Sequence, residues 1–75
     1  MTIYVPRSVQ TLDIYHATFG GNTTIYVPKT VEVLIYDSFV LKDNVKIITE
    51  AGSEAEKQAI EYGWDYEIVD KIVYP

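Results

Sequence analysis

The chain lacks several residue types on which small proteins often rely. Its 75 residues include no cysteine and one histidine, and its six lysines and arginines are outnumbered by eleven aspartates and glutamates. The absence of cysteine excludes disulfides and thiolate metal sites, so a single domain of this size needs regular packing or association for stability. The shortage of positive charge argues against a nucleic-acid partner, because phosphate binding needs lysine and arginine.

Long apolar runs are missing as well. Nowhere do 18 uncharged apolar residues occur together, and the first ten residues lack the basic and apolar regions of a secretory signal. We therefore expect no membrane partner, and the localisation stays unknown.

The signatures of common catalytic and cofactor sites are also missing, including a Gly-rich phosphate loop, H-E-x-x-H and G-x-S-x-G. A nucleophilic trio of Ser38, His16 and Asp37 can be assembled on paper, but almost any chain with one histidine offers such a set. The acids of the C-terminal half lack the spacing of a calcium loop; they are Glu54, Glu56, Glu61, Asp65, Glu67 and Asp70. We predict a protein without catalytic residues, cofactor or metal.

A repeat organises what is present. The block T-I-Y-V-P-R-S-V at residues 2–9 returns as T-I-Y-V-P-K-T-V at residues 24–31, with six of eight positions identical and an offset of 22 residues. Each block predicts a short strand that ends at a proline, because proline lacks the N–H that a continuing ladder needs. A third strand is predicted from Val45. The offset suits a parallel return of the chain and falls within the range of leucine-rich repeats; the alternative is an antiparallel meander.

The chain between the strands predicts an irregular outer arm. Val9 and Leu12 in the first unit, and Val31 and Leu34 in the second, have the spacing of one side packed over a core. Four aromatic residues are assigned to this outer-arm core, namely Tyr15, Phe19, Tyr36 and Phe39. The segments 20–22 and 42–44 have the composition of turns that bring the chain back to the next strand.

These units resemble the BspA-type leucine-rich repeat. The pattern Ile25-x-Val27-Pro28-x-Thr30-Val31-x-x-Leu34-x-x-x-Ser38-Phe39 is similar to I-x-I-P-x-S-V-x-x-I-x-x-x-A-F of that family, and the first unit follows it up to Leu12. The displaced Ala17 and Phe19 then predict an insertion in the first outer arm. The resemblance implies a short right-handed solenoid, α/β and β-rich, with a parallel sheet and one C-terminal capping helix. It also implies protein binding or adhesion, mainly in bacterial and protozoal proteins and often at cell surfaces.

The C-terminal segment is similar to the terminal cap of the same family and predicts a helix followed by a strand. Ser53 and Glu56 have capping-box spacing, and Gly63 is placed for a left-handed C-cap. An inward stripe is expected from Ala55, Ala59, Ile60 and Tyr62. A strand is expected within residues 64–69, and residues 70–75 are either a tail or an extra strand.

We predict a single domain, with units at residues 2–23, 24–44 and 45–75. The expected function is a protein–protein interaction module that self-associates as a homo-oligomer through its uncapped N-terminal repeat. The contact residues assigned to that end and to the sheet face are Ile3, Tyr4, Val5, Val9, Leu12 and Tyr26. The alternative is a small acidic, phage-type inhibitor that imitates a nucleic acid, and such a mimic should lose its partner steeply with added salt.

Overall fold

The computed structural model describes residues 1–13, 22–35 and 45–75 as a strand-rich α/β arrangement. In chain order its elements are β1 (Thr2–Tyr4), β2 (Thr11–Asp13), β3 (Thr23–Val27), β4 (Val33–Ile35), β5 (Val45–Glu50), α1 (Glu54–Tyr62) and β6 (Asp65–Val69). The strand order is β1-β3-β5-β6 in one sheet and β2-β4 in the other, and neither sheet closes on itself.

Every strand pair is parallel, and the register follows the sequence repeat. Ile3 pairs with Ile25 and Ile25 with Ile47, each across 22 residues. The predicted parallel pairing and its register are therefore confirmed, with β5 as the next rung. Only the last rung departs from this spacing, because Ile47 pairs with Tyr66 after 19 residues.

The same turn ends three successive strands. The carbonyl of Pro6 accepts the N–H of Val9 at 3.1 Å, and the carbonyl of Pro28 accepts that of Val31 at 3.1 Å. Another 22 residues on, the carbonyl of Glu50 accepts the N–H of Ser53 at 3.2 Å. The repeat thus continues through this third turn, where Glu50 occupies the position of the two prolines.

Within the described residues, the outer arm is more regular than the sequence predicted. β2 and β4 pair in parallel with Leu12 opposite Leu34, again with the 22-residue offset. The carbonyl of Gln10 accepts the N–H groups of Glu32 and Val33 where these strands begin, so backbone hydrogen bonds favour extended structure here. The predicted insertion, the four aromatics of the outer-arm core and the turn at residues 42–44 lie outside the described residues, as does most of the turn at residues 20–22.

The core lies between the larger sheet, β4 and the helix. Ile25, Val27, Val31 and Ile47 are almost completely buried there, together with residues of the helix. Thr49 is the strand partner of Val27 in this layer, and its hydroxyl donates to the Val27 carbonyl at 2.7 Å. The Thr49 hydroxyl also lies 2.7 Å from the Ser53 hydroxyl, where the helix begins. Because its hydroxyl has these partners, the polar Thr49 can be buried in the core.

The helix has the predicted ends. Ser53 Oγ accepts the N–H of Glu56 at 3.0 Å, and the Glu56 carboxylate accepts the N–H of Gly52 at 2.8 Å. Gly63 is left-handed with φ 72°, and the N–H of Trp64 returns to the Ala59 carbonyl at 3.0 Å. These bonds satisfy backbone groups that a helix leaves free at its ends.

The predicted inward stripe of the helix is half wrong. Ala55 and Ala59 are buried, but Ile60 is 62% exposed and Tyr62 is 57% exposed. Ile60 follows Ala59 by about 100° around the helix, so it points away when two alanines, one turn apart, face the sheet. Small side chains let the helix pack closely on β5, and the apolar residue beside them remains at the surface.

Residues 70–75 do not form a further strand. Ile72 is nevertheless buried, and the hydroxyl of Tyr74 donates to the carbonyl of Val5. The segment therefore packs against the first unit instead of projecting as a free tail. We call residues 70–75 the strap.

Candidate interaction surface

The first repeat unit presents an apolar surface at the N-terminal end of the stack. Ile3, Val9 and Leu12 are only partly buried and pack against the core from this side. We call these three side chains, with the edges of β1 and β2 that face away from β3 and β4, the end face. Val5, also predicted as a contact residue, is instead buried in the core.

Equivalent residues in the second unit show how much burial the side chains of the end face lack. The residues 22 positions later are Ile25, Val31 and Leu34, and their exposed fractions are 1%, 1% and 8%. Among the described residues, these later side chains have a unit stacked on either side, whereas their equivalents in the first unit have one on a single side. The partial exposure of Ile3, Val9 and Leu12 thus corresponds to one absent neighbouring layer.

The two edges of the larger sheet differ in charge. β6 forms one edge and carries Asp65 and Glu67, both exposed. Charged side chains on an edge strand discourage pairing with another chain. β1 forms the other edge and has the sequence Thr-Ile-Tyr, with neither charge nor proline. Side-chain charge therefore disfavours strand addition at β6 but not at β1.

Tyr4 and Tyr26 stack on the sheet face opposite the core, which we call the outer face. Their ring centroids lie 4.3 Å apart with an interplanar angle of 9°, because the parallel register places Tyr4 beside Tyr26. Tyr74 of the strap lies against the same pair, with its ring centroid 5.9 Å from that of Tyr4. Part of the outer face is therefore covered by the chain itself.

A buried carboxylate on the outer face joins distant parts of the chain. Glu50 Oε1 accepts Arg7 Nη1 at 3.0 Å and Glu50 Oε2 accepts Arg7 Nη2 at 2.5 Å, a bidentate ion pair. The same carboxylate accepts the N–H of Lys29 at 2.8 Å and that of Ile72 at 2.9 Å. We call the Arg7–Glu50 pair the clamp.

The surroundings keep Glu50 ionised. The Arg7 guanidinium lowers the pKa of Glu50 to about 2 against the opposing effect of burial, and the N–H groups of Lys29 and Ile72 act in the same direction as Arg7. Burial raises the pKa of Tyr74, which therefore keeps its hydroxyl proton as a donor at neutral pH. The clamp is a fixed charge pair with every oxygen of the carboxylate engaged.

The sequence prediction missed the clamp, although a signal was present. Glu50 lies 22 residues after Pro28, which itself lies 22 residues after Pro6. The repeat position that holds proline in the first two units holds an acidic residue in the third, and this change is visible in the sequence. The residue after each proline is basic, Arg7 in the first unit and Lys29 in the second. What the repeat could not supply was Ile72, because the strap lies beyond the repeated units.

Two further acidic side chains accept hydrogen bonds at or near the start of the helix. Glu56 accepts from the helix N-terminus, and Glu54 accepts from Gln58 at 3.3 Å within the helix. Across the described ranges, no three histidine, cysteine, aspartate or glutamate residues are grouped as a metal site. No helix in these ranges is long and apolar enough to cross a membrane. The trio of His16, Asp37 and Ser38 lies outside them.

The comparisons with known proteins offer no relative from which a function could be carried over. No protein-family model, no curated protein and no solved structure matches this chain.

Proposed function

We propose that the chain is a non-catalytic protein-binding module, a short right-handed leucine-rich-repeat-like solenoid that self-associates through its end face. The observation that carries this proposal is the contrast between equivalent residues. Ile3, Val9 and Leu12 are partly exposed where Ile25, Val31 and Leu34 are buried. Stacked repeats bury their apolar layers against one another, and an uncovered terminal layer favours association.

The occupant we propose is a second copy of the same chain. β1 is uncharged, so two copies can bring their β1 edges together without electrostatic repulsion between those strands. The simplest arrangement is a symmetric dimer in which the two β1 strands pair antiparallel across a two-fold axis. In a longer chain, a preceding repeat would occupy the same face.

Light scattering on the intact protein tests this proposal. We expect a mass near twice the 8.6 kDa of one chain at high micromolar concentration, with dissociation on dilution. Thr2→Lys places a charge on the exposed β1 edge and should shift the protein to monomers. Thr30→Lys makes the same chemical change at an exposed turn away from that edge and should leave the dimer intact.

A folded monomer at every accessible concentration would overturn the proposal, and so would equal dimerisation of the two lysine variants. Circular dichroism of each variant shows whether it is folded. The acidic-mimic alternative predicts instead a basic protein partner whose binding falls steeply with added salt, because contacts through apolar side chains and backbone hydrogen bonds depend only weakly on ionic strength.

A further inference from the structure

The strap has the alternating exposure of a bound peptide. Ile72 is 3% exposed and Tyr74 is half-buried, whereas Val73 between them is 82% exposed. Lys71 and Pro75 on either side are exposed as well. This alternation is typical of an extended segment that presents every second side chain to a surface.

The clamp holds the backbone of this segment at one residue. Glu50 Oε2 accepts the N–H of Ile72 at 2.9 Å, and Arg7 Nη2 donates to the carbonyl of Ile72 at 3.3 Å. An adjacent β-strand would offer the same pair of bonds, one acceptor and one donor, to a residue of its neighbour. Because both bonds go to the backbone, the clamp can hold an extended segment regardless of its sequence.

The side chains on either side of Val73 supply selectivity. Ile48 alternates with the core residues of β5 and so belongs to the outer face, and both Ile48 and Ile72 are buried outside the main core cluster. Two residues beyond Ile72, the Tyr74 hydroxyl donates to the Val5 carbonyl, and the Arg7 guanidinium lies 5.6 Å from the centroid of the Tyr74 ring. The site accepts an aliphatic residue followed, two positions later, by a tyrosine.

We propose that the outer face is a peptide-binding site which the strap occupies in cis, and that an extended partner segment of the pattern aliphatic-x-Tyr displaces the strap. The partner is then a protein with such a segment in an unstructured region. The site uses Arg7, Glu50 and the outer face instead of the apolar layer of the end face. This inference therefore does not depend on the proposed dimer.

A labelled peptide of residues 70–75 tests this inference on the full-length chain by fluorescence anisotropy. The tethered strap competes at a high effective concentration, so the unaltered protein should bind the peptide weakly. Ile72→Asp in the chain removes the buried anchor of the strap and should increase the affinity for the peptide at least tenfold. Val73→Asp adds the same charge at the exposed neighbour and should leave the affinity unchanged. A peptide with alanine in place of its tyrosine should lose most of the gain.

Three results would overturn the inference. The first is equal peptide affinity for the Ile72→Asp and Val73→Asp chains, and the second is no binding by an Ile72→Asp chain that circular dichroism shows to be folded. The third is unfolding of both Ile72→Asp and Tyr74→Ala, which would make the strap part of the core and not a displaceable ligand.

If Ile72→Asp alone does not fold, Tyr74→Ala serves in its place, because it releases the other anchor of the strap. This variant is expected to bind the peptide at least several-fold more tightly than the unaltered chain. The mass of the unaltered protein, measured separately, reports on the dimer alone.

Discussion

The replacement Glu50→Gln tests the electrostatic part of the structure most directly. Glutamine keeps the size of the side chain but removes its charge. The carboxylate accepts two bonds from Arg7 and one each from the N–H groups of Lys29 and Ile72. An amide has a single acceptor oxygen, and its NH2 group would face donors. We therefore expect a lower free energy of unfolding at neutral pH.

The size of the loss follows from the pKa of Glu50. Arg7 and the two backbone N–H groups lower this pKa to about 2, against about 4.3 in an unfolded chain. A depressed folded-state pKa means that the stabilisation is fully present above about pH 5 and is lost as the pH falls through about 2. At about 1.4 kcal/mol per unit, the ceiling is about 3 kcal/mol. Because the Arg7 side chain is 37% exposed, solvent screening reduces the expected value to about 2 kcal/mol.

Urea unfolding followed by far-ultraviolet circular dichroism, from pH 7 down to pH 2, measures the effect. The free energies of unfolding of the two proteins should differ by about 2 kcal/mol at pH 7 and converge to within about 0.5 kcal/mol near pH 2. The other carboxylates titrate in both proteins, so their contributions cancel in the difference. A difference that stays constant from pH 7 to pH 2 would refute the assignment of the stabilisation to the ionised Glu50.

Two further predictions concern the core and the helix. Ile25→Ala should lower the free energy of unfolding by about 3 kcal/mol because it leaves a cavity among buried side chains, whereas Ile60→Asp at the exposed helix position should change it by less than about 0.5 kcal/mol. Equal denaturation midpoints for these two variants would contradict the packing described here. Ser53→Ala should cost about 1 to 2 kcal/mol, because it removes both the N-cap and the hydroxyl partner of Thr49, while Glu61→Ala serves as an exposed control with almost no effect. A midpoint for Ser53→Ala that matches the control would show that the cap contributes nothing.

The sheet was predictable because its information is repeated in the sequence. Two blocks that share six of eight residues turn the same positions toward the core, and a slip of one residue would turn Ile3 or Ile25 to the wrong face. The register in turn places Tyr4 beside Tyr26, so their stacking followed without further information. The helix ends were predictable for a different reason, because capping depends on a few neighbouring residues only.

The sequence did not reveal the contacts that do not recur from one unit to the next. Apolar character alone assigned Ile60 to the core, whereas the space beneath the helix admits only Ala55 and Ala59. The clamp needs Arg7, Glu50 and Ile72, which are separated by 43 and 22 residues. Periodicity relates equivalent positions of successive units, but it carries no information about an ion pair between the first and third units or about the strap, which has no equivalent in the first two units.

The clamp also joins units that would not contact one another in an extended array of repeats. In an extended array of repeats each unit contacts only its neighbours, so the end units can unfold independently of the rest. Here Arg7 of the first unit reaches Glu50 at the third turn, which also binds the N–H of Lys29 in the second unit. The strap then returns to the first unit through the bond from Tyr74 to Val5. Because opening the first unit would take Arg7 away from a buried carboxylate that also binds Lys29 and Ile72, the described units should unfold in one transition rather than fray from the end.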